Sequence, residues 1–184
     1  SVSDRLRRIR NLPRADWGKF TAHSGLGITM FAIATLMAWE QEDIRTLAIG
    51  ESFTIDKWEL TLDAVDRVEG PNFLSQMGTF TVKENGEFLT TLHPEKRFYQ
   101  VAAMPTTEAG IRNGVFEDIY VVIGDPQDDG SWAVRTYIKP FANWIWAGSL
   151  LMALGGAISL TDRRLRVAAG GAKSKAKENM VAAE

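Results

Sequence analysis

The chain has 184 residues, a formal charge of −2 and no cysteine. The missing cysteines exclude disulfides, thiolate metal centres and cysteine nucleophiles, and the near-balanced charge leaves no basic footprint for nucleic acid. The mean hydropathy is close to neutral, as in a soluble protein, but it averages over sharply segregated stretches.

The first 19 residues are basic, with Arg5, Arg7, Arg8, Arg10, Arg14 and Lys19. An apolar run then extends from Phe20 to Trp39, and a second from Phe141 to Leu160. Neither contains Asp, Glu, Lys or Arg. As helices, 20 residues rise about 30 Å, the hydrocarbon thickness of a bilayer. Residues 20–39 and 140–161 are therefore expected to be transmembrane helices. Trp17 and Trp39 flank the first, and Trp144 and Trp146 open the second, in the manner of an aromatic belt. A 20-residue core ending Met-Ala-Trp-Glu argues against a cleaved signal peptide.

Residues 162–184 carry a second basic cluster, Arg163, Arg164, Arg166, Lys173, Lys175 and Lys177, in a tail expected to be partly disordered. The middle, 40–139, is rich in acids instead. By the positive-inside rule both termini are cytoplasmic and residues 40–139 are translocated. Two spans return the chain to its starting side, so the assignment closes.

The middle reads as a β-rich domain of short strands, a small sandwich or open barrel. Alternation marks strands at 51–55, 58–65, 78–83, 88–92, 97–101, 116–123 and 131–138. Asp56-Lys57 reads as a tight connection and Asn85-Gly86 as a type I′ hairpin turn. His93-Pro94 breaks a strand, because Pro lacks the ladder donor. Residues 104–114, with Pro105, Gly110, Asn113 and Gly114, read as a loop. The expected core is Trp58, Leu60, Leu62, Phe80, Val82, Tyr120, Val122, Trp132 and Val134.

Few residues carry chemistry. With two histidines, no Ser/His/Asp triad can be argued. Gly25-Leu26-Gly27 and Gly155-Gly156-Ala157 lie inside the apolar runs, where small residues permit close helix packing. The acid groups Glu40/Glu42/Asp43 and Asp128/Asp129 read as a solvated edge and a turn. His93, before a Pro and beside Glu95, Lys96 and Arg97, reads as a surface turn. His23 is the one ionisable side chain in either run, and such a group at membrane depth marks a functional site. A neutral imidazole suits iron ligation. A histidine bonded between helices, or placed shallowly enough to meet water, is the alternative that chemistry alone leaves open.

An ordered set of strings carries a family resemblance. Ala22-His23-Ser24-Gly25, Ala38-Trp39-Glu40-Gln41-Glu42 and Val68-Glu69-Gly70-Pro71-Asn72 come first. Thr91 to Tyr99 (TLHPEKRFY), Met104 to Ala109 (MPTTEA) and Asp118-Ile119-Tyr120-Val121 follow. Asp129 to Arg135 (DGSWAVR), Lys139-Pro140-Phe141, Trp144-Ile145-Trp146 and Asp162-Arg163-Arg164 complete the set. In this order, over residues 5–166, they resemble the C-terminal part of the CcmF family, the haem lyase subunit of bacterial cytochrome c maturation. The resemblance implies an inner-membrane protein whose periplasmic domain lies between its last two spans. It implies covalent attachment of haem to an apocytochrome c, with haem received from the chaperone CcmE and the apocytochrome delivered with CcmH. It further implies a b-type haem held by two transmembrane histidines, of which His23 matches one as axial ligand of the haem iron. The family's tryptophan-rich haem-handling segment, its two periplasmic haem-binding histidines and the other b-haem histidine lie upstream and are not in this chain. The expectation is then a C-terminal fragment or one half of a split protein, not catalytically competent alone, whose partner ligand comes from the rest of CcmF. The alternative is a membrane-anchored periplasmic module that only docks maturation partners.

Overall fold

The computed structural model describes Val2 and residues 12–162. The expected cytoplasmic tail from residue 163 onward, and the basic segment before residue 12 apart from Val2, lie outside the described residues.

Two helices, α1 (Arg14–Trp39) and α2 (Ala142–Leu160), are each long and apolar enough to cross a membrane. Helix α1 starts six residues ahead of its apolar run. Pro13 sets the first turn, where a missing N–H costs nothing, and its carbonyl accepts the Asp16 N–H at 3.0 Å. Lys19 then pairs with Asp16 at 3.3 Å on the exposed side. Asp162, just beyond α2, is 8% exposed, and its carboxylate accepts the Ala15 N–H at 3.0 Å. A carboxylate at this position satisfies an orphan donor and opposes the positive end of the α1 dipole.

The helix pair closes on small residues. A Cβ on Gly25 would lie 2.5 Å from the Gly148 carbonyl oxygen, and one on Gly155 would lie 2.6 Å from the Gly18 carbonyl oxygen. Contact positions rise along α1 as they fall along α2, so the two run antiparallel. Gly25 and Gly155 thus serve the close packing expected of them. Gly27 and Gly156 do not, since a Cβ on either meets open space.

The β domain is a sandwich of two antiparallel sheets. Its strands are β1 (Gln41–Leu47), β2 (Ser52–Ile55), β3 (Trp58–Glu69), β4 (Phe73–Glu84), β5 (Glu87–Leu92), β6 (Glu95–Tyr99), β7 (Met104–Glu108), β8 (Gly110–Arg112), β9 (Glu117–Pro126) and β10 (Trp132–Pro140). One sheet runs β1-β10-β9-β8; the other runs β2-β3-β4-β6-β7, with β5 also on β4. β5 and β6 share one edge of β4 in succession, divided where Pro94 interrupts the ladder. There the Gly78 N–H turns to the Pro94 carbonyl at 2.9 Å. Asn85 and Gly86 have φ of 51° and 87°, the left-handed pair a type I′ turn needs. Asp56, at φ 52°, opens the other two-residue connection.

The core lies between the sheets. Phe53, Ile55, Trp58, Leu60, Leu62, Phe80, Val82 and Leu92 face Leu47, Ile119, Val121, Val134 and Ile138. The expected core is correct along β3, β4 and β10, with Trp132 half-buried against it. Along β9 the phase is reversed. Tyr120 and Val122 are only half-buried, while Ile119, Val121 and Ile123 are fully enclosed. The segment is apolar on both alternations, so period alone cannot choose the face. Tyr120 turns instead to Lys139, whose Nζ lies 5.0 Å from its ring centroid.

Three strands escape the sequence reading. β1 is an edge strand on β10 with four charged or amide side chains, largely exposed, which disguises its alternation. β7 and β8 occupy the expected loop 104–114, and Pro105 is tolerated because β7 is an edge. β4 begins at Phe73, five residues before the expected start, because the Gly70-Pro71-Asn72 turn closes a hairpin with twelve-residue arms.

Candidate functional site

His23 lies on α1, one residue beyond the Gly18, Ala22, Gly25 packing stripe. One residue is about 100° of helix rotation, which carries the imidazole off the contact face. It is exposed. Its Nδ1 lies 2.8 Å from the Lys19 carbonyl oxygen, one turn back. A carbonyl only accepts, so Nδ1 carries the proton and donates it. A neutral ring held this way has its lone pair on Nε2, the nitrogen not engaged by the Lys19 carbonyl. Backbone anchoring of one ring nitrogen is how a metal-ligating histidine is held in tautomer and orientation.

The surroundings fit a flat group brought to that lone pair. Gly27, one turn further on, leaves open space where a side chain would stand. Met30 continues the same face and is exposed, as are Phe20 and Leu26 beside it. On the tautomer, the single nitrogen donor and the open space at Gly27, the residues present fit one nitrogen ligand to a haem iron. No group of three or more His, Asp or Glu side chains placed to hold a bare metal ion occurs among the described residues.

His93 belongs to the β domain, between β5 and β6. It is exposed, and its Nδ1 is 3.4 Å from Thr79 Oγ1. This is the surface turn the sequence predicts. The acid groups also follow expectation in part. Asp129 accepts from the Ser131 N–H at 2.9 Å and from its hydroxyl at 2.6 Å, which holds its carboxyl below the usual range. Asp43 is not merely solvated: Arg45 grips both its oxygens, from Nε and Nη2, at 2.5 Å each and lowers its pKa.

Sequence reasoning missed the joint where β10 passes into α2. Asp118, 2% exposed, accepts the Gly114 N–H at 2.8 Å and the Asn143 amide at 2.9 Å through one oxygen. The Asn143 amide also donates to the Gly114 carbonyl at 3.0 Å. Phe141, at φ 56°, donates its N–H to the Phe116 carbonyl at 2.6 Å. The signal was Asn143 itself, a polar side chain near the head of an apolar run.

Residues 38–140 match the family described as the CcmF C-terminal β-sandwich. The chain is 58% identical over 177 residues to the cytochrome c-type biogenesis protein ccl1 of Rhodobacter capsulatus, covering 96% of this chain and 27% of that protein. It is 42% identical over 163 residues to the cytochrome c-type biogenesis protein CcmF of Pseudomonas aeruginosa, covering 88% of this chain and 25% of that one. The chain spans about a quarter of the length of the curated relatives it matches. A solved structure, Cytochrome c Heme Lyase CcmF, aligns with a TM-score of 0.69 over 80% of this chain and 25% of that chain. At 18% identity that likeness speaks to the fold. With more than half of its residues matched to the family's C-terminal β-sandwich, the chain belongs to the CcmF family.

Proposed function

We propose that this chain is the C-terminal portion of a cytochrome c haem lyase subunit and supplies one axial ligand, His23, to a transmembrane b-type haem. The observation that carries this is the His23 ring, pinned through Nδ1–H to the Lys19 carbonyl with Nε2 left to bind. Bound there, the haem would supply one-electron chemistry. His23 would hold its iron through Nε2, and the open space at Gly27 would leave room for the group. The second histidine comes from the rest of CcmF, or from a separately encoded N-terminal part.

In this reading residues 20–39 and 140–161 span the inner membrane among lipid, residues 1–19 and 162–184 face the cytoplasm, and residues 40–139 stand in the periplasm. The Lys and Arg placement at the two ends supports that orientation. The periplasmic domain meets the other participants: a CcmH-type subunit, the haem chaperone CcmE and the apocytochrome c.

One observation favours a docking role for the β domain as well. A cavity of about 620 Å³ opens on it, lined by Arg67, Arg97 and the Lys96–Asp125 ion pair beside the apolar walls of Leu74, Phe98 and Pro105. Such a mixture of paired charges and apolar surface suits a protein segment rather than a bare ion.

The test is made in the intact complex. His23→Ala is expected to abolish a low-spin b-type haem spectrum and the formation of holocytochrome c, with the subunit still present in the membrane. An unchanged spectrum removes His23 as a ligand. Loss of the spectrum with undiminished holocytochrome c removes the haem site from the lyase function.

A further inference from the structure

The loop between β8 and β9 exposes two apolar side chains, Val115 at 70% and Phe116 at 61%. It is not a slack loop. The buried Asp118 carboxylate receives the Gly114 N–H, and Asn143 ties the Gly114 carbonyl to the same carboxylate. The Phe116 carbonyl takes the Phe141 N–H at 2.6 Å, and the two rings meet edge to face at 6.1 Å between centroids. Phe141 is the first residue of the second apolar run. Phe116 is therefore tied to the start of that run.

Beside this tip is a small cleft of about 150 Å³, lined by Arg112, Lys57, Trp58 and Phe116 with Glu84 and Glu117. Lys57 is occupied, bonded to both Glu117 and Glu84. The Arg112 guanidinium is 5.2 Å from the Trp58 ring and, among the described residues, pairs with no carboxylate. An apolar tip with a guanidinium at its stem that no carboxylate engages directly matches the headgroup layer, where apolar side chains meet acyl chains and Arg meets phosphate.

We propose that the Val115–Phe116 tip is seated in the headgroup layer and that Arg112 binds a phospholipid phosphate there, so that the β domain is held to the membrane at a third point besides its two helices. This rests on the reading of the second apolar run as a membrane span. The seating would fix the height of the domain above the bilayer, and with it the height at which a partner presents its segment.

The chain has no cysteine, so a single introduced thiol reports one position. Val115→Cys carries an environment-sensitive fluorophore in the full chain, reconstituted in vesicles of phosphatidylethanolamine and phosphatidylglycerol. Val101→Cys is the control. It is 96% exposed and follows β6, whose Tyr99 pairs with Phe73 at the far end of β4 from Glu84. The expected result is a blue-shifted emission at 115, quenched by a lipid spin-labelled at its headgroup, with neither effect at 101. Arg112→Gln is expected to reduce that quenching and to lower the phosphatidylglycerol retained by the purified chain in native mass spectrometry. Solvent-like emission at 115 in a chain that resists carbonate extraction overturns the seating while leaving the span intact. A chain extracted by carbonate overturns the span itself. Quenching and lipid retention both unchanged in Arg112→Gln overturn the phosphate site.

Discussion

The Asn143 amide lies 2.9 Å from Asp118 Oδ1, and the same oxygen takes the Gly114 N–H at 2.8 Å. One buried carboxylate thus joins the head of α2 to the loop before β9. Asp118→Ala leaves two donors without their acceptor in a closed site, which costs about 2–3 kcal/mol. Thermal unfolding of the detergent-solubilised chain is expected to shift down by several degrees. Asp118→Asn, which keeps one acceptor, should shift it less. Equal shifts for the two would mean that the carboxylate's charge, not its acceptor geometry, matters.

The helix pair makes a sharper prediction because it contains its own control. Gly155 has the Gly18 carbonyl and the Ala22 backbone against it, whereas adjacent Gly156 faces open space. Gly155→Ile must push the helices apart, for a loss of about 2–3 kcal/mol by overpacking. Gly156→Ile should leave stability within about 0.5 kcal/mol of the parent, as surface changes do. Melting temperatures in one detergent, compared across the three chains, decide it. Similar melting for both variants would contradict the packing.

Two carboxylates tie the β domain's stability to pH. The Arg97 guanidinium, at 2.9 Å, lowers the Glu95 pKa, and Arg45 does the same for Asp43. A carboxylate whose folded pKa lies below its unfolded value stabilises the fold above the unfolded pKa, and that stability fades as pH falls through the folded value. The domain should therefore lose stability as pH drops below about 4. Glu95→Gln should lower the melting temperature at neutral pH, and the gap from the parent should close in acid. A gap that is constant with pH would show that the ion pair contributes nothing.

The legible parts of the fold were those with one dominant local signal. Asn85-Gly86 demands a left-handed turn, and β3 alternates cleanly, so both were placed. β9 carries apolar residues on both faces, and only the opposite sheet decides that Ile119 and Val121 face inward. β1 and β7 are edge strands whose charge and proline suppress the pattern that marks central strands. At the site, His23 stood out because an ionisable group in an apolar run is costly. The Lys19 carbonyl that fixes its tautomer has no side-chain signature, since it is backbone. Asp118 was hidden because its partners lie four and 25 residues away.

The most direct test of the account is chemical rescue at His23. In the intact complex, His23→Gly removes the ring and leaves a cavity beside Gly27. The low-spin b-type haem spectrum should disappear and return when imidazole is added, with no such return for His23→Leu, whose side chain fills the space. A spectrum that survives His23→Gly without imidazole would contradict ligation by His23.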